Sequence, residues 1–148
     1  MNRFVLLLTF LCAACSNSDT DKIAENAIPP SLNVGTEAGG DWSPLQLMAG
    51  RAPAESGLFV NSPITTDLNA MLGPDLPRYR EAMATGSTLS REGPVLVTAA
   101  RGRNAYLVIY PADHAMEAGL RGPGGWRTWT TPGAAVPRVP TVERLRSA

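Results

Sequence analysis

Tyr106-Leu107-Val108-Ile109-Tyr110 sets five residues of high strand propensity in succession. It is bounded by Arg101-Gly102-Arg103-Asn104 and Pro111-Ala112-Asp113-His114, both turn chemistry of hairpin length. Upstream, Val95, Val97 and Ala99 alternate with Leu96, Thr98 and Ala100, the two-residue period of a strand. Downstream, Met116, Ala118 and Leu120 share one side of their stretch. Arg121-Gly122-Pro123-Gly124-Gly125 then leads into Trp126-Arg127-Thr128-Trp129-Thr130-Thr131. Four short strands joined by tight turns form an antiparallel meander, with residues 106–110 at a central place.

Two helices precede it. Ser62 stands at a cap position, Pro63 at the first helical position and Gly73 just past the end. Ile64, Leu68, Met71 and Leu72 fall on one helical face. The pattern repeats after Pro74, where Leu76, Tyr79 and Met83 share a face and Gly86 ends the run. The expected fold class is therefore α+β, two short helices packed on a four-stranded antiparallel meander. Before them, Trp42, Leu45, Leu47 and Met48 form a short apolar cluster with Pro44 near its start. After the meander, three prolines in residues 132–140 indicate an extended return segment. The domain is expected over residues 41–142, with residues 143–148 as a tail.

The chain has 148 residues, enough for one domain. Thirteen Lys and Arg balance thirteen Asp and Glu, which argues against a nucleic-acid binder. The charge is uneven along the chain. Residues 15–67 carry seven acids and two bases, whereas residues 68–148 carry six acids and ten bases, all ten of them arginine. Arg101 and Arg103 lie within three residues, and no acid occurs between Glu92 and Asp113.

The start, MNRFVLLLTFLCAACSNSDTD, has a basic Arg3, an apolar run from Phe4 to Leu11, and small residues before Cys15. It reads as a signal peptide over residues 1–14, too short for an ordinary membrane span. Leu11-Cys12-Ala13-Ala14-Cys15 resembles the lipobox of bacterial lipoproteins. The resemblance implies cleavage before Cys15 and lipidation of its thiol. With Ser16 next, it also implies attachment to the outer membrane on its periplasmic face. Residues 15–40, polar and interrupted by Pro29-Pro30, read as a flexible tether. The only cysteines are Cys12 and Cys15, so the domain itself is built without a disulfide or a thiolate metal site.

Little in the sequence carries catalytic chemistry. His114 is the sole histidine, and with Asp113 it forms the one acid–base pair on which a small hydrolase could rest. There is no Gly-x-Ser-x-Gly elbow, no phosphate-binding glycine loop and no metal-ligand spacing. A non-enzymatic lipoprotein that acts by binding, with no cofactor, is the expected class. Its partner would be an envelope protein or peptidoglycan. The candidate contact residues are Arg101, Arg103 and Asn104 at a hairpin tip, together with Trp129, since Trp126 and Trp129 point to opposite faces of one strand.

The order helix, helix, meander comes with two phrases, Ala105-Tyr106-Leu107-Val108-Ile109-Tyr110-Pro111-Ala112 and Gly124-Gly125-Trp126-Arg127-Thr128-Trp129. Together they resemble the periplasmic inhibitors of vertebrate-type lysozyme, the Ivy-like group, over about residues 62–132. The resemblance implies inhibition of a peptidoglycan-cleaving enzyme through a loop held by a cysteine pair, with a histidine that enters the enzyme's cleft. The matching place is Arg101-Gly102-Arg103-Asn104, which has neither cysteine nor histidine.

Overall fold

The computed structural model describes residues 40–148. The expected signal peptide, Cys15 and all but the last residue of the tether lie outside the described residues.

Alternation and turn chemistry produce one sheet of five strands: β1 Ser90–Glu92, β2 Val95–Ala99, β3 Ala105–Tyr110, β4 Ala115–Gly122 and β5 Gly125–Thr130. Their spatial order follows the chain, β1-β2-β3-β4-β5, and every neighbouring pair is antiparallel. β3 holds the centre, between Leu96↔Ile109 pairing on one side and Ile109↔Met116 on the other. The fifth strand corrects the expectation of four. Ser90-Arg91-Glu92 is short, polar and at the sheet edge, so it carries none of the apolar alternation that marks a strand in sequence. Gly93, at φ 61°, makes the turn that pairs it with β2.

Both faces of the sheet are covered. On one, Leu96, Leu107, Ile109, Met116, Ala118 and Leu120 meet two helices, α1 Thr65–Leu72 and α2 Leu76–Met83. These supply Leu68, Leu72, Tyr79 and Met83, joined by Trp42 and Leu45 from a 3-10 turn at Ser43–Met48. On the other face, Val95, Val97, Tyr106 and Val108 meet Val139, Val142 and Leu145. The last two belong to α3, Pro140–Arg146, a helix whose final turn occupies residues expected as a tail. Burial on both faces explains why β2 and β3 read as near-continuous apolar runs. Trp129 packs with the first core and Trp126 with the second, on opposite faces as their spacing requires.

Helix α1 begins at Thr65, two residues beyond the proline expected to open it. The Ser62 hydroxyl turns back and donates to the Leu58 carbonyl at 2.6 Å, and the Thr65 hydroxyl accepts the Ser62 N–H at 3.0 Å. The serine therefore closes the preceding turn and does not cap the helix.

One hydrogen bond ties α2 to the central strand. The Tyr79 hydroxyl, fully buried, donates to the Tyr106 carbonyl at 2.7 Å. Burial raises its pKa well above the ordinary tyrosine value, so it remains a donor at any physiological pH. Tyr79→Phe keeps the ring packing and removes only this bond. It should cost about 1 kcal/mol and lower the melting temperature by roughly 5 °C. An unchanged melt would show that the bond contributes nothing net.

Candidate functional site

In a five-stranded meander with this order, the β2–β3 and β4–β5 links emerge at the same end of the sheet. The first is Arg101-Gly102-Arg103-Asn104. Its stem is closed by Ala100 N–H donating to the Ala105 carbonyl at 2.9 Å, and both alanines are buried. All four tip residues are exposed.

The tip is held from two sides. Arg101 N–H donates to the Thr85 carbonyl, just past α2, at 3.3 Å. The Asn104 carbonyl accepts the Arg121 N–H of β4 at 2.7 Å. Within the tip, Arg103 N–H reaches back to the Ala100 carbonyl at 2.9 Å, and Arg103 takes a left-handed backbone with φ 54°. Glycine would adopt that conformation freely, whereas an L side chain pays about 1–2 kcal/mol there. Such strain survives where the surroundings enforce it, and it concentrates at functional sites.

Among the described residues, the tip guanidiniums are unopposed. Two ion pairs occur among the described residues, Arg127–Asp75 at 2.8 Å and Arg146–Glu117 at 3.8 Å. Among the described residues, Arg101 and Arg103 therefore have no carboxylate within 4.0 Å. Arginine offers a planar fork suited to bidentate carboxylate recognition. The geometry is that of a rigid, exposed, cationic finger.

The other residues singled out by sequence are placed elsewhere. Trp129 lies on β5 opposite Ala118, half-buried against the first core, so the structure does not bring it to the tip. The Arg127 guanidinium sits 5.0 Å from its ring centroid and roofs it. Asp113 and His114 lie at the opposite end of the sheet, both exposed. His114 is left-handed at φ 48°, with its ring edge-on to Trp42 at 5.3 Å. Among the described residues no three His, Cys, Asp or Glu side chains gather as a metal site would require.

Two arginines escaped the sequence reading. Arg121 precedes the β4–β5 hairpin, and Arg78 projects from α2 beside it. Arg78, Arg121, Gly102 and Asn104 line one depression of about 370 Å³. Arg121 could have been placed at this end from the topology alone. Arg78 could not, because its position depends on how α2 docks. A larger recess, about 620 Å³, lies on the other face of the sheet under α3. Its charges answer one another, since Glu117 accepts the Tyr106 hydroxyl at 2.5 Å and faces Arg146.

The family model for the inhibitor of vertebrate lysozyme (Ivy) matches residues 63–146, which takes in every strand and all three helices named above. Comparison with curated proteins and with solved structures found no match.

Proposed function

Because the chain belongs to the inhibitor of vertebrate lysozyme (Ivy) family, we propose that it blocks a lysozyme-type, peptidoglycan-cleaving glycosidase by presenting its 101–104 hairpin to the enzyme's cleft. The observation that carries this reading is the exposed Arg101–Arg103 pair on a stem fixed by α2 and β4. Glycosidases of this type work with two carboxyl groups flanking the scissile bond. A guanidinium offered at that place pairs with the carboxylates and occludes the substrate. Backbone hydrogen bonds to Thr85 and Arg121 hold the loop, the task that the family resemblance gives to a cysteine pair. The reading is tested by titrating the purified protein into a lysozyme and following peptidoglycan lysis. Lysis should fall to a floor near one inhibitor per enzyme, and undiminished lysis at large excess would end the proposal.

The strain at Arg103 makes a separate prediction. Arg103→Gly relieves the left-handed penalty and should leave the melting temperature unchanged or raise it by a few degrees. Inhibition should weaken all the same. A variant that melts earlier and inhibits normally would show that the arginine serves the fold instead.

The same reading places the inhibitor at the periplasmic face of the outer membrane through a lipid on Cys15. Support comes from the lipobox-like run Leu11-Cys12-Ala13-Ala14-Cys15 ahead of a polar tether. Several acyl chains, at about 0.8 kcal/mol per buried methylene, make such an anchor stable. Cys15→Ser should move the protein out of the membrane fraction or leave it unprocessed. Intact-mass analysis of the mature protein with no acyl mass at Cys15 would refute the anchor.

A further inference from the structure

The hairpin is too small to account for a stable complex. A specific protein interface covers about 800 Å² on each partner, some 20–30 residues, and four tip residues supply a small part of that. The remainder must come from surface continuous with the tip. One flank qualifies by shape and by charge. Gly102 and Asn104 of the hairpin form one wall of the depression that Arg78 and Arg121 complete from α2 and β4. Both arginines are exposed, and among the described residues neither has a carboxylate within 4.0 Å. Arg78 reaches across to the second hairpin, its guanidinium 3.8 Å from where a Cβ on Gly122 would stand. Glu81 is the single acid lining the depression, against two arginines there and two more at the tip. The nearby Asp75 is already taken by Arg127. Leu120 and Ala82 supply an apolar floor.

We infer that the contact with the target is two-part. The tip enters the cleft, and the depression between Arg78 and Arg121 seats an acidic side chain from the rim of that cleft. This inference rests on the inhibitor reading above and adds the source of its selectivity. Glycosidases with acidic residues on the rim are bound, and those with a basic rim are repelled, since like charges brought together at an interface cost several kcal/mol. Unpaired surface arginines of one sign also steer an acidic partner from a distance, so association should be fast at low salt and slow as salt rises.

The test is binding kinetics of the full protein on an immobilised lysozyme that it inhibits, at low and at physiological salt. Arg78→Glu with Arg121→Glu is compared with Arg91→Glu with Arg138→Glu, which makes the same change in net charge away from the depression. The first pair should weaken affinity at least tenfold, slow association, and flatten its salt dependence. The second pair should stay within about twofold of the wild type. Thermal melts should be unchanged in both, because exposed arginines contribute little to folding. Equal effects from the two pairs, or none from the first, would overturn the inference while leaving the inhibitor reading intact. Failure of the wild type to bind any lysozyme would overturn both.

Discussion

Gly119→Ala should cost the fold about 3 kcal/mol or more, from a single added methyl. Gly119 pairs with Tyr106 across β4 and β3, and the tyrosine ring lies flat over it. A Cβ at this position would stand 2.1, 2.4 and 2.8 Å from three ring carbons, far inside contact distance. The ring has nowhere to go. Its hydroxyl is bound to Glu117 at 2.5 Å, its ring lies tilted against Trp126 at 5.4 Å between centroids, and the residue is fully buried. The backbone would have to part at the centre of the sheet. A loss of this size is a large fraction of the stability of a small domain. Chemical denaturation measures it, and the cause can be isolated. In a Tyr106→Ala background the same Gly119→Ala change should cost little, because the atoms it strikes are gone. A Gly119→Ala protein that melts within a degree or two of the wild type would refute this account of the Tyr106–Gly119 pair.

Arg101→Glu combined with Arg103→Glu should weaken lysozyme inhibition by a hundredfold or more and leave the melting temperature nearly unchanged. The substitution swaps two cations for two anions at the point offered to a carboxylate-bearing cleft. Repulsion there costs several kcal/mol, and about 1.4 kcal/mol is a factor of ten. The fold should be indifferent, since among the described residues neither side chain meets a carboxylate, and both are exposed. Arg101→Lys with Arg103→Lys should fall between, because lysine keeps the charge and loses the bidentate fork. Charge-reversed protein that still inhibits at wild-type concentrations would place the inhibitory surface elsewhere, with Trp129 and Arg127 the next candidates.

Much of this architecture is legible from local pattern. Strands β2 to β5 and helices α1 and α2 announce themselves by period and by turn residues, and the pairing of β3 with both neighbours follows from the short links. What the pattern hides has physical causes. Strand β1 is three polar residues at an edge, where no face is buried and no alternation is imposed. Helix α3 follows a proline-rich stretch, and its apolar Val142 and Leu145 are too few to stand out. Ser62 has the right residue type for a cap, yet the Leu58 carbonyl claims its hydroxyl. The candidate site divides in the same way. Arg101, Arg103 and Asn104 could be placed at a tip because a hairpin is a local structure. Arg78 came to the same end through the docking of α2, a tertiary event without a local signature. Trp129, singled out as a contact residue, is half-buried against the first core beneath Arg127, which pairs with Asp75 on the preceding helical layer.

The claim that the hairpin occupies the catalytic cleft is tested most directly by competition. The rate at which lysozyme cleaves a soluble oligosaccharide would be measured at several inhibitor concentrations, with increasing tri-N-acetylchitotriose as a ligand of the same cleft. If residues 101–104 enter that cleft, the trisaccharide excludes them, and the apparent inhibition constant should rise linearly with its concentration. An inhibition constant that stays fixed while the trisaccharide fills the cleft would mean that the protein binds elsewhere on the enzyme.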